Sequence, residues 1–460
     1  MIKSQSNSTW LKSIYQSKTF QTLIFTGFDF NMLSPMSIII NNFVDNIDLS
    51  FFDQYYKSNK IFGGRPFFNY KFLLKIYMYA LYKDISIREL KNFASLGSDL
   101  HFLSYDLPHF PKRSIFSKFL KMLDSHINDI FDLSIQYICK YIELDLSNLY
   151  CDGTIFEAHN NRHKIITDTN IVRSNKKWTA ILENLGSSEV LKTKAKEKLR
   201  LNEERMLKLN EFNRTSYGRT DNDAVILKDK NDSYIAGYNV QFIEDGKYGL
   251  IVYPHISNRN PDSTAFLDII DLLIEKYKPK SLTMDTGYGT PEILTILNKH
   301  KITPVVRALK NENSTKKITD YSFELSESDD CLICPAGQLL EQVETKIEGK
   351  VAFKAQNCQL CDIKEKCLGK SKNKRITINI KEFKALKLAD KCVNSSEGEE
   401  LYSHRGNKCE SPHGFIKYNL NGKKFKMNGL VRNNSIIKLY SIMYNLRRLI
   451  SIKTDPKKQP

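Results

Sequence analysis

The sequence predicts an α/β protein with a helical N-terminal domain and a cysteine-rich insertion. Before residue 146, apolar residues recur at helical spacing. Between residues 147 and 310, short apolar runs alternate with amphipathic segments, and five cysteines follow between residues 331 and 367. Strands that alternate with helices are typical of an α/β layer fold. We therefore expect a sheet-based core that is flanked by helices and interrupted by insertions.

The composition excludes several classes of protein. Of the 460 residues, 41% are hydrophobic and 26% are charged, a mixture typical of globular and not of disordered chains. Lys plus Arg number 69 against 52 Asp plus Glu, a net charge of +17. This excess favours a polyanionic partner such as nucleic acid, although a charge that only aids solubility is the alternative. Without a run of ~20 apolar residues or a signal peptide, we expect a cytoplasmic protein, associated with the nucleoid when it binds DNA.

The N-terminal third has two parts. Residues 1–28 are polar and predict a flexible leader. Residues 29–146 predict a helical domain, in which Phe72 and Ile76 begin an apolar series at helical spacing. Ser86-Ile87-Arg88-Glu89 has the form of a capping box, where Ser and Glu satisfy each other's backbone donors at a helix start.

Residues 147–310 predict the first part of the core. Strands are expected near residues 148–152, 238–243, 249–253, 281–285 and 302–306, and helices near 262–277 and 291–299. A charged segment, residues 170–215, predicts a helical insertion made of one long amphipathic helix or a helix pair. Residues 311–400 form the cysteine- and lysine-rich insertion, and residues 401–460 complete the core with helices.

Two aspartates occupy equivalent places in this pattern. Asp152 and Asp285 each close a short apolar strand and are followed by a glycine within two residues. The carboxyl edge of strands in an α/β sheet is where ligands gather, although Asp-Gly is also good turn chemistry. A later acid, Glu410, precedes Pro412, which predicts that Glu410 lies near a helix start. Together the three acids indicate a site for a hard cation such as Mg²⁺.

Several short motifs carry a resemblance to a known family. In order along the chain they are Gly64-Arg65-Pro66, Ser86-Ile87-Arg88-Glu89, Asp152-Gly153-Thr154, Thr220-Asp221-Asn222-Asp223-Ala224, Gly237-Tyr238-Asn239-Val240-Gln241, Asp285-Thr286-Gly287-Tyr288, Cys334-Pro335-Ala336-Gly337 and Glu410 to Lys417. From about residue 30 to 450 the chain resembles DDE transposases of bacterial insertion sequences. The resemblance is to the 1182-type group, related to the IS-four superfamily, whose catalytic core is ribonuclease-H-like.

This resemblance implies a role for each acid. Asp152, Asp285 and Glu410 would be the first, second and third catalytic acids, and would bind two Mg²⁺ or Mn²⁺ ions that clamp the attacking and leaving oxygens of a phosphodiester displacement. The residues expected to face DNA are Tyr402, Arg405, Lys417, Lys423, Lys424 and Lys426. Glu157, Asp221, Asp223 and Asp262 are rival metal ligands. Asp221 and Asp223 lie among turn-forming residues, and Asp262 follows Pro261 at an expected helix N-terminus, where a carboxylate caps free N–H groups.

The implied function is metal-dependent DNA strand cleavage and strand transfer, with double-stranded element ends and target DNA as partners. Synapsis of two ends implies a homodimer when active. Two alternatives stay open: a catalytically idle DNA-binding protein derived from a transposase, and a standalone ribonuclease-H-like nuclease.

The clustered cysteines predict a second metal site. Their spacing is C-x₂-C followed by C-x₂-C-x₅-C, and paired Cys-x-x-Cys elements suit tetrahedral Zn²⁺. The resemblance favours Cys334, Cys358, Cys361 and Cys367 as ligands of a structural zinc ion and leaves Cys331 as a spare. A metal-free knuckle with free thiols is the alternative.

Overall fold

The computed structural model describes residues 33–55, 69–90, 98–104, 110–161, 164–228, 233–307, 318, 320–368 and 371–455. Contacts divide the chain into two compact units. The first unit comprises residues 1–144, 153–260 and 410–460, and the second comprises residues 145–152 and 261–409. The predicted leader at residues 1–28 and the Gly64-Arg65-Pro66 motif lie outside the described residues.

Helices make up most of the described chain before residue 144. They are α1 (Pro35–Asp45), α2 (Tyr70–Tyr82), α3 (Ser98–Leu103) and α4 (Arg113–Cys139). The carboxylate of Asp99 accepts hydrogen bonds from the Ser37 hydroxyl at 2.5 Å and the Tyr79 hydroxyl at 2.7 Å, and so ties three helices together. The predicted capping box is confirmed, since the backbone N–H of Ser86 donates to Glu89 Oε2 and that of Glu89 donates to Ser86 Oγ.

Strands and a helix pair follow. They are β1 (Asn148–Glu157), β2 (Ile165–Thr167), α5 (Asp168–Glu183), α6 (Glu189–Glu211), β3 (Ser216–Gly218), β4 (Val225–Lys228), β5 (Tyr234–Asp245) and β6 (Ile251–Ser257). In the first unit, β5 lies between β4 and the second half of β1 in the sheet order, and it pairs antiparallel with both β4 and β6. The charged insertion is a helix pair, α5 and α6, which was one of the two predicted forms.

Strand β1 is longer than the sequence predicts. It continues five residues past Asp152 instead of ending in a turn at Asp152-Gly153. Thr154 and Phe156 suit a strand and are buried, and the Ala158 N–H donates to the Ala236 carbonyl of β5 at 2.9 Å. Tertiary pairing therefore overrides the local turn preference of Asp-Gly, and β1 passes from the second unit into the first at this dipeptide.

The second unit contains a parallel sheet. Its elements up to residue 305 are α7 (Asp262–Leu267), α8 (Ile270–Tyr277), β7 (Ser281–Met284), α9 (Pro291–Lys299) and β8 (Thr303–Val305). The first part of β1 pairs with β7 in parallel, and β7 pairs with β8 in parallel. The carboxyl ends of these strands consequently lie at one edge, as the sequence predicts for an α/β layer.

The cysteine-rich insertion is a small antiparallel sheet with its own core. It contains β9 (Glu324–Leu325), β10 (Cys331–Ile333), β11 (Leu339–Val343), β12 (Val351–Ala355), α10 (Lys364–Cys367) and β13 (Arg375–Ile378). The strand order is β13-β12-β11-β10-β9. Phe323, Leu332, Leu340 and Phe353 are fully buried in its core.

Helices complete the described chain. They are α11 (Ile380–Val393), α12 (Ser396–Gly414) and α13 (Leu430–Thr454), with a π-helical turn at Phe415–Asn419. In the first unit, α13 lies against α4 and β6. Its Asn445 side chain accepts from the backbone N–H of Ile251 at 2.9 Å and donates to the carbonyl of the same residue at 2.7 Å. None of the helices in the described residues has the length and apolar character needed to cross a membrane.

Candidate active site

Three parallel strands of the second unit deliver charged residues to one edge. Asp152 directly follows the pair Cys151–Met284 that ends the β1–β7 register, and Asp285 directly follows β7. Arg307 lies two residues beyond the end of β8. Asp285 precedes a 3₁₀ turn, yet its side chain makes no capping hydrogen bond with that turn. The carboxyl edge of a parallel sheet is where α/β proteins bind ligands, so these side chains mark the candidate site.

One guanidinium joins the two aspartates. Arg405 Nη1 lies 3.8 Å from Asp152 Oδ2, and Arg405 Nη2 lies 3.5 Å from Asp285 Oδ1. Burial lowers the pKa of Arg405, but the carboxylates of Asp285 and Asp152 raise it and prevail, so the pKa lies above its ordinary value. The two carboxylates therefore converge on a single cation, as ligands of a shared positive charge would.

Tyr402 lies one helical turn before Arg405 on α12 and contacts two cations. The centre of its ring is 5.7 Å from the Arg405 guanidinium carbon and 5.0 Å from that of Arg307. Tyr402 and Arg405 were predicted from the sequence, whereas Arg307 was not. The signal that could have found Arg307 was its place two residues beyond the third parallel strand, at the sheet edge where Asp152 and Asp285 also lie.

A buried tyrosine packs beneath this edge. Tyr288 follows Asp285 in the 3₁₀ turn, and its ring meets that of Phe266 edge to face at a centroid distance of 5.5 Å. Burial raises the pKa of Tyr288 well above its usual range, and Cys151, Asp262 and Asp152 raise it further. Asp262, one of the rival acids, is thus close enough to this phenol to act on it electrostatically. The phenol stays protonated at any physiological pH.

Glu410 and Lys417 belong to the first unit. Glu410 is exposed and lies four residues before the end of α12, not near a helix start as predicted from Pro412. A proline inside a helix removes one backbone hydrogen bond, and the π-helical turn at Phe415–Asn419 begins three residues after it. The sequence predicted that a new helix starts at Pro412. Instead, the proline is accommodated inside α12, and the end of the helix is distorted.

Lys417 is held against strand β1. Its Nζ donates to Thr154 Oγ1 at 2.5 Å and lies 5.3 Å from the centre of the Phe156 ring. Thr154 and Phe156 are alternate residues of β1 and face the same side of the strand. Lys417 is therefore held against one face of the part of β1 that belongs to the first unit.

The lysine cluster predicted to contact DNA is partly paired within the protein. Lys424 Nζ lies 3.0 Å from Glu157 Oε1, and Lys426 pairs with Asp84. Lys423 is exposed, and its carbonyl accepts a hydrogen bond from the Glu157 N–H. Among the described residues Lys423 makes no ion pair, unlike Lys424 and Lys426.

The four predicted zinc ligands line one small cavity. Cys334, Cys358, Cys361 and Cys367 surround a space of about 20 Å³ in the second unit, whereas Cys331 does not line it. The Gln338 N–H donates to Cys334 Sγ at 3.2 Å. Similarly, the Lys374 N–H donates to Cys358 Sγ at 3.4 Å. All nine cysteines are free thiols. Burial raises the pKa of Cys367, and Cys358, Cys334 and Cys361 raise it further, while Lys374 lowers it.

No preassembled metal centre is present in the part of the chain that the structure describes, since no group of three or more His, Cys, Asp or Glu side chains there could hold an ion as it stands. The donor chemistry nevertheless suits two kinds of ion. Mg²⁺ commonly uses one or two protein carboxylates together with water and phosphate oxygens, and Asp152 and Asp285 supply two. Four thiols around one cavity are the usual ligand set of structural zinc.

Comparison with known families bears on the C-terminal part of the chain. Residues 333–450 match a family model described as a transposase DDE domain. This match supports a DDE transposase family. No curated protein matches the chain. The matched segment contains the four cysteines of the cavity, Tyr402, Arg405, Glu410 and Lys417, and it excludes Asp152 and Asp285. It supports a transposase function in general, while the strand-end aspartates come from the sequence and the geometry alone.

Of the rival acids, three have structural partners in the first unit. Glu157 pairs with Lys424, and Asp223 Oδ2 accepts the Leu430 N–H at 2.8 Å. Asp221 is fully buried, and its carboxylate accepts the Tyr238 hydroxyl at 2.8 Å and the Gly429 N–H at 3.1 Å. Burial raises the pKa of Asp221, and these hydrogen bonds oppose the rise. Asp221 therefore holds the backbone in place at the start of α13.

We expect Asp221→Ala to lower the free energy of unfolding by about 2–4 kcal/mol, because the buried Tyr238 hydroxyl and the partly buried Gly429 N–H would lose their acceptor. Urea denaturation measures this loss. The exposed Asp271 of α8 provides a control, since Asp271→Ala should change stability by less than about 0.5 kcal/mol. Equal stability of the two variants would contradict a structural role for Asp221.

Proposed function

We propose that this protein is a DNA transposase of the 1182-type group, with a ribonuclease-H-like core that cleaves and joins DNA strands in a metal-dependent reaction. The observation that carries the proposal is the convergence of Asp152 and Asp285, at the carboxyl edge of adjacent parallel strands, on the single guanidinium of Arg405. The match of residues 333–450 to a transposase DDE domain supports it. The motifs that precede that segment favour the narrower group.

Each residue has a distinct expected role in this reaction. Asp152 and Asp285 supply hard oxygen ligands, and we assign the third acid to Glu410 from its motif. Divalent ions, when bound, would stabilise the charge on the attacking and leaving oxygens of an in-line displacement. Arg405 balances the charge of the two aspartates in the absence of substrate and, with Arg307, can bind a phosphate of the DNA strand. Tyr402 orients both guanidinium groups through its ring.

The wider features of the proposal follow the same resemblance. We infer that residues 29–146 form a helical domain that helps to bind element ends, that the chain dimerises when two ends are synapsed, and that it acts in the cytoplasm on nucleoid DNA. We also propose that the cysteine cavity holds a structural zinc ion, because its four thiols converge and two of them already accept backbone N–H groups.

The direct test uses purified protein and a duplex that carries the DNA flanking the coding sequence. With Mg²⁺ we expect nicks at the element end followed by joining to a target plasmid, and no reaction with EDTA. Cleavage of any duplex without joined product would favour the standalone nuclease. Specific binding without cleavage in Mg²⁺ or Mn²⁺ would favour the idle derivative.

Lys417 and Lys423 should differ when each is replaced by alanine. Lys417 is fixed against β1, so Lys417→Ala should lower the single-turnover cleavage rate about tenfold more than it lowers DNA affinity. Lys423 is exposed, and Lys423→Ala should weaken binding to all duplexes alike and reduce the salt slope of binding by about one unit. Binding titrations at several salt concentrations, beside cleavage rates, separate the two effects. Parallel losses at both positions would place Lys417 in an ordinary basic surface.

A further inference from the structure

A polar groove in the first unit has no role in the reaction described above. It lies between the end of α6, the strands β3 and β4, and the loop after β6, and its volume is about 790 Å³. An apolar floor includes Leu209 and Val225. The polar residues that line it include Asn210, Asn213, Arg214, Asn258, Arg259 and Asn260, and we call it the asparagine groove.

The amides of this groove are available to a ligand. Within the described residues, the side chains of Asn210, Asn213, Asn258 and Asn260 make no hydrogen bond to the protein. Asn213 has a positive φ of 51° just after α6, which accounts for an Asn or Gly at that one position. In the part of the chain that the structure describes, no hydrogen bond accounts for the other three amides, yet they line the same space.

Arg214 is held in place as a cation of the groove. Its Nη1 donates to the carbonyls of Asn222 and Asp223 at 3.2 and 3.3 Å, and its guanidinium carbon lies 5.2 Å from the centre of the Phe212 ring. Lys208 lies over the same ring at 5.5 Å. A guanidinium that is already oriented loses little conformational entropy when it binds a further anion.

We propose that the asparagine groove binds double-stranded DNA of the element end, with its amides contacting base edges and with Arg214 and Arg259 contacting phosphates. Asn side chains pair in a bidentate manner with adenine, and Arg binds phosphate or guanine. A small-molecule pocket is usually lined mainly by apolar and aromatic side chains, whereas nine of the thirteen residues that line this open groove are polar or charged, with Arg214 and Arg259 against the single acid Asp168. The inference rests on the proposed function, to which it adds a site of sequence recognition.

The test measures binding to two duplexes on an Asp285→Asn background, which keeps the DNA intact. One duplex carries the DNA that flanks the coding sequence, and the other is a shuffled sequence of equal composition. The combined variant carries Asn213→Gly, Asn258→Ala and Asn260→Ala. Glycine is used at position 213 because it readily adopts the positive φ of Asn213. The combined variant should lose about tenfold or more in affinity for the flanking duplex and less than about twofold for the shuffled one.

Arg259→Ala should weaken binding to both duplexes equally and reduce the salt slope of binding by about one unit. Asn298→Ala on α9 and Arg200→Ala on α6 are controls, since both residues are exposed outside the groove and should leave binding unchanged. Thermal unfolding of each variant confirms that the fold is kept. Unchanged discrimination in the amide variant, or equal loss on both duplexes, would overturn base recognition by the groove.

The outcome separates this inference from the proposed function. If the parent protein neither cleaves nor joins DNA, but prefers the flanking duplex and loses that preference in the amide variant, the groove proposal stands and transposition does not. If the parent protein cleaves and joins at element ends while the amide variant keeps full discrimination, transposition stands and the groove proposal fails.

Discussion

Asp285→Asn should abolish DNA strand cleavage in Mg²⁺, with a loss of at least about a thousandfold, while DNA affinity changes by less than about twofold. The change keeps the size of the side chain and removes one of the two negative charges that converge on Arg405. Removal of a metal ligand costs the reaction several kcal/mol of transition-state stabilisation, and each ~1.4 kcal/mol lost lowers the cleavage rate tenfold. Single-turnover cleavage of an end-labelled duplex measures the effect.

Asp152→Asn should give the same loss, and the double variant should cleave no worse than either single one, because residues that act as a unit are not additive. Asp271→Asn is the matched control, since it removes one exposed carboxylate from the same unit and should retain parental activity. Cleavage by Asp285→Asn at the parental rate would remove Asp285 from the catalytic site.

The position of Asp285 was predictable because its signals are local. An apolar strand, then an acid and, two residues later, a glycine follow one another in the sequence, and the strand ends where predicted. Asp152 carries the same signals, yet its strand continues, because pairing of the second half of β1 with β5 depends on residues about eighty positions away. Local turn chemistry could not reveal that pairing.

Other features depended on contacts that no single segment encodes. Arg307 lies just beyond the end of β8, but its contact with the Tyr402 ring, which also contacts Arg405, involves a residue almost a hundred positions later. Glu410 was predicted at a helix start because Pro412 favours one, whereas Pro412 lies inside α12 and a π-helical turn follows it. The strands of the cysteine insertion span only two to five residues each, too short for their alternation to stand out.

Zinc should be essential to the fold of the cysteine insertion. The sheet β9–β13 has a small core, and small units of this kind commonly depend on a metal or on disulfides for stability. Structural zinc contributes on the order of 10 kcal/mol at neutral pH, which exceeds what such a core supplies. Protein purified without chelator should contain about one zinc per chain, and Cys358→Ser with Cys361→Ser should contain none and unfold the insertion.

The spare cysteine makes the experiment decisive. Cys331 belongs to the same sheet and does not line the cavity, so Cys331→Ser should keep the zinc and the melting temperature of the parent. Without metal, loss of two thiols should cost only about 1–3 kcal/mol, the range of ordinary substitutions. Two results together would show that the four thiols form a metal-free core. The parent protein would contain no zinc, and the insertion would resist proteolysis equally well in the double variant and in Cys331→Ser. The same proteolysis assay on parent protein treated with a chelator should reproduce the double variant, because removal of the ion and removal of its ligands leave the same small hydrophobic core to hold the sheet alone.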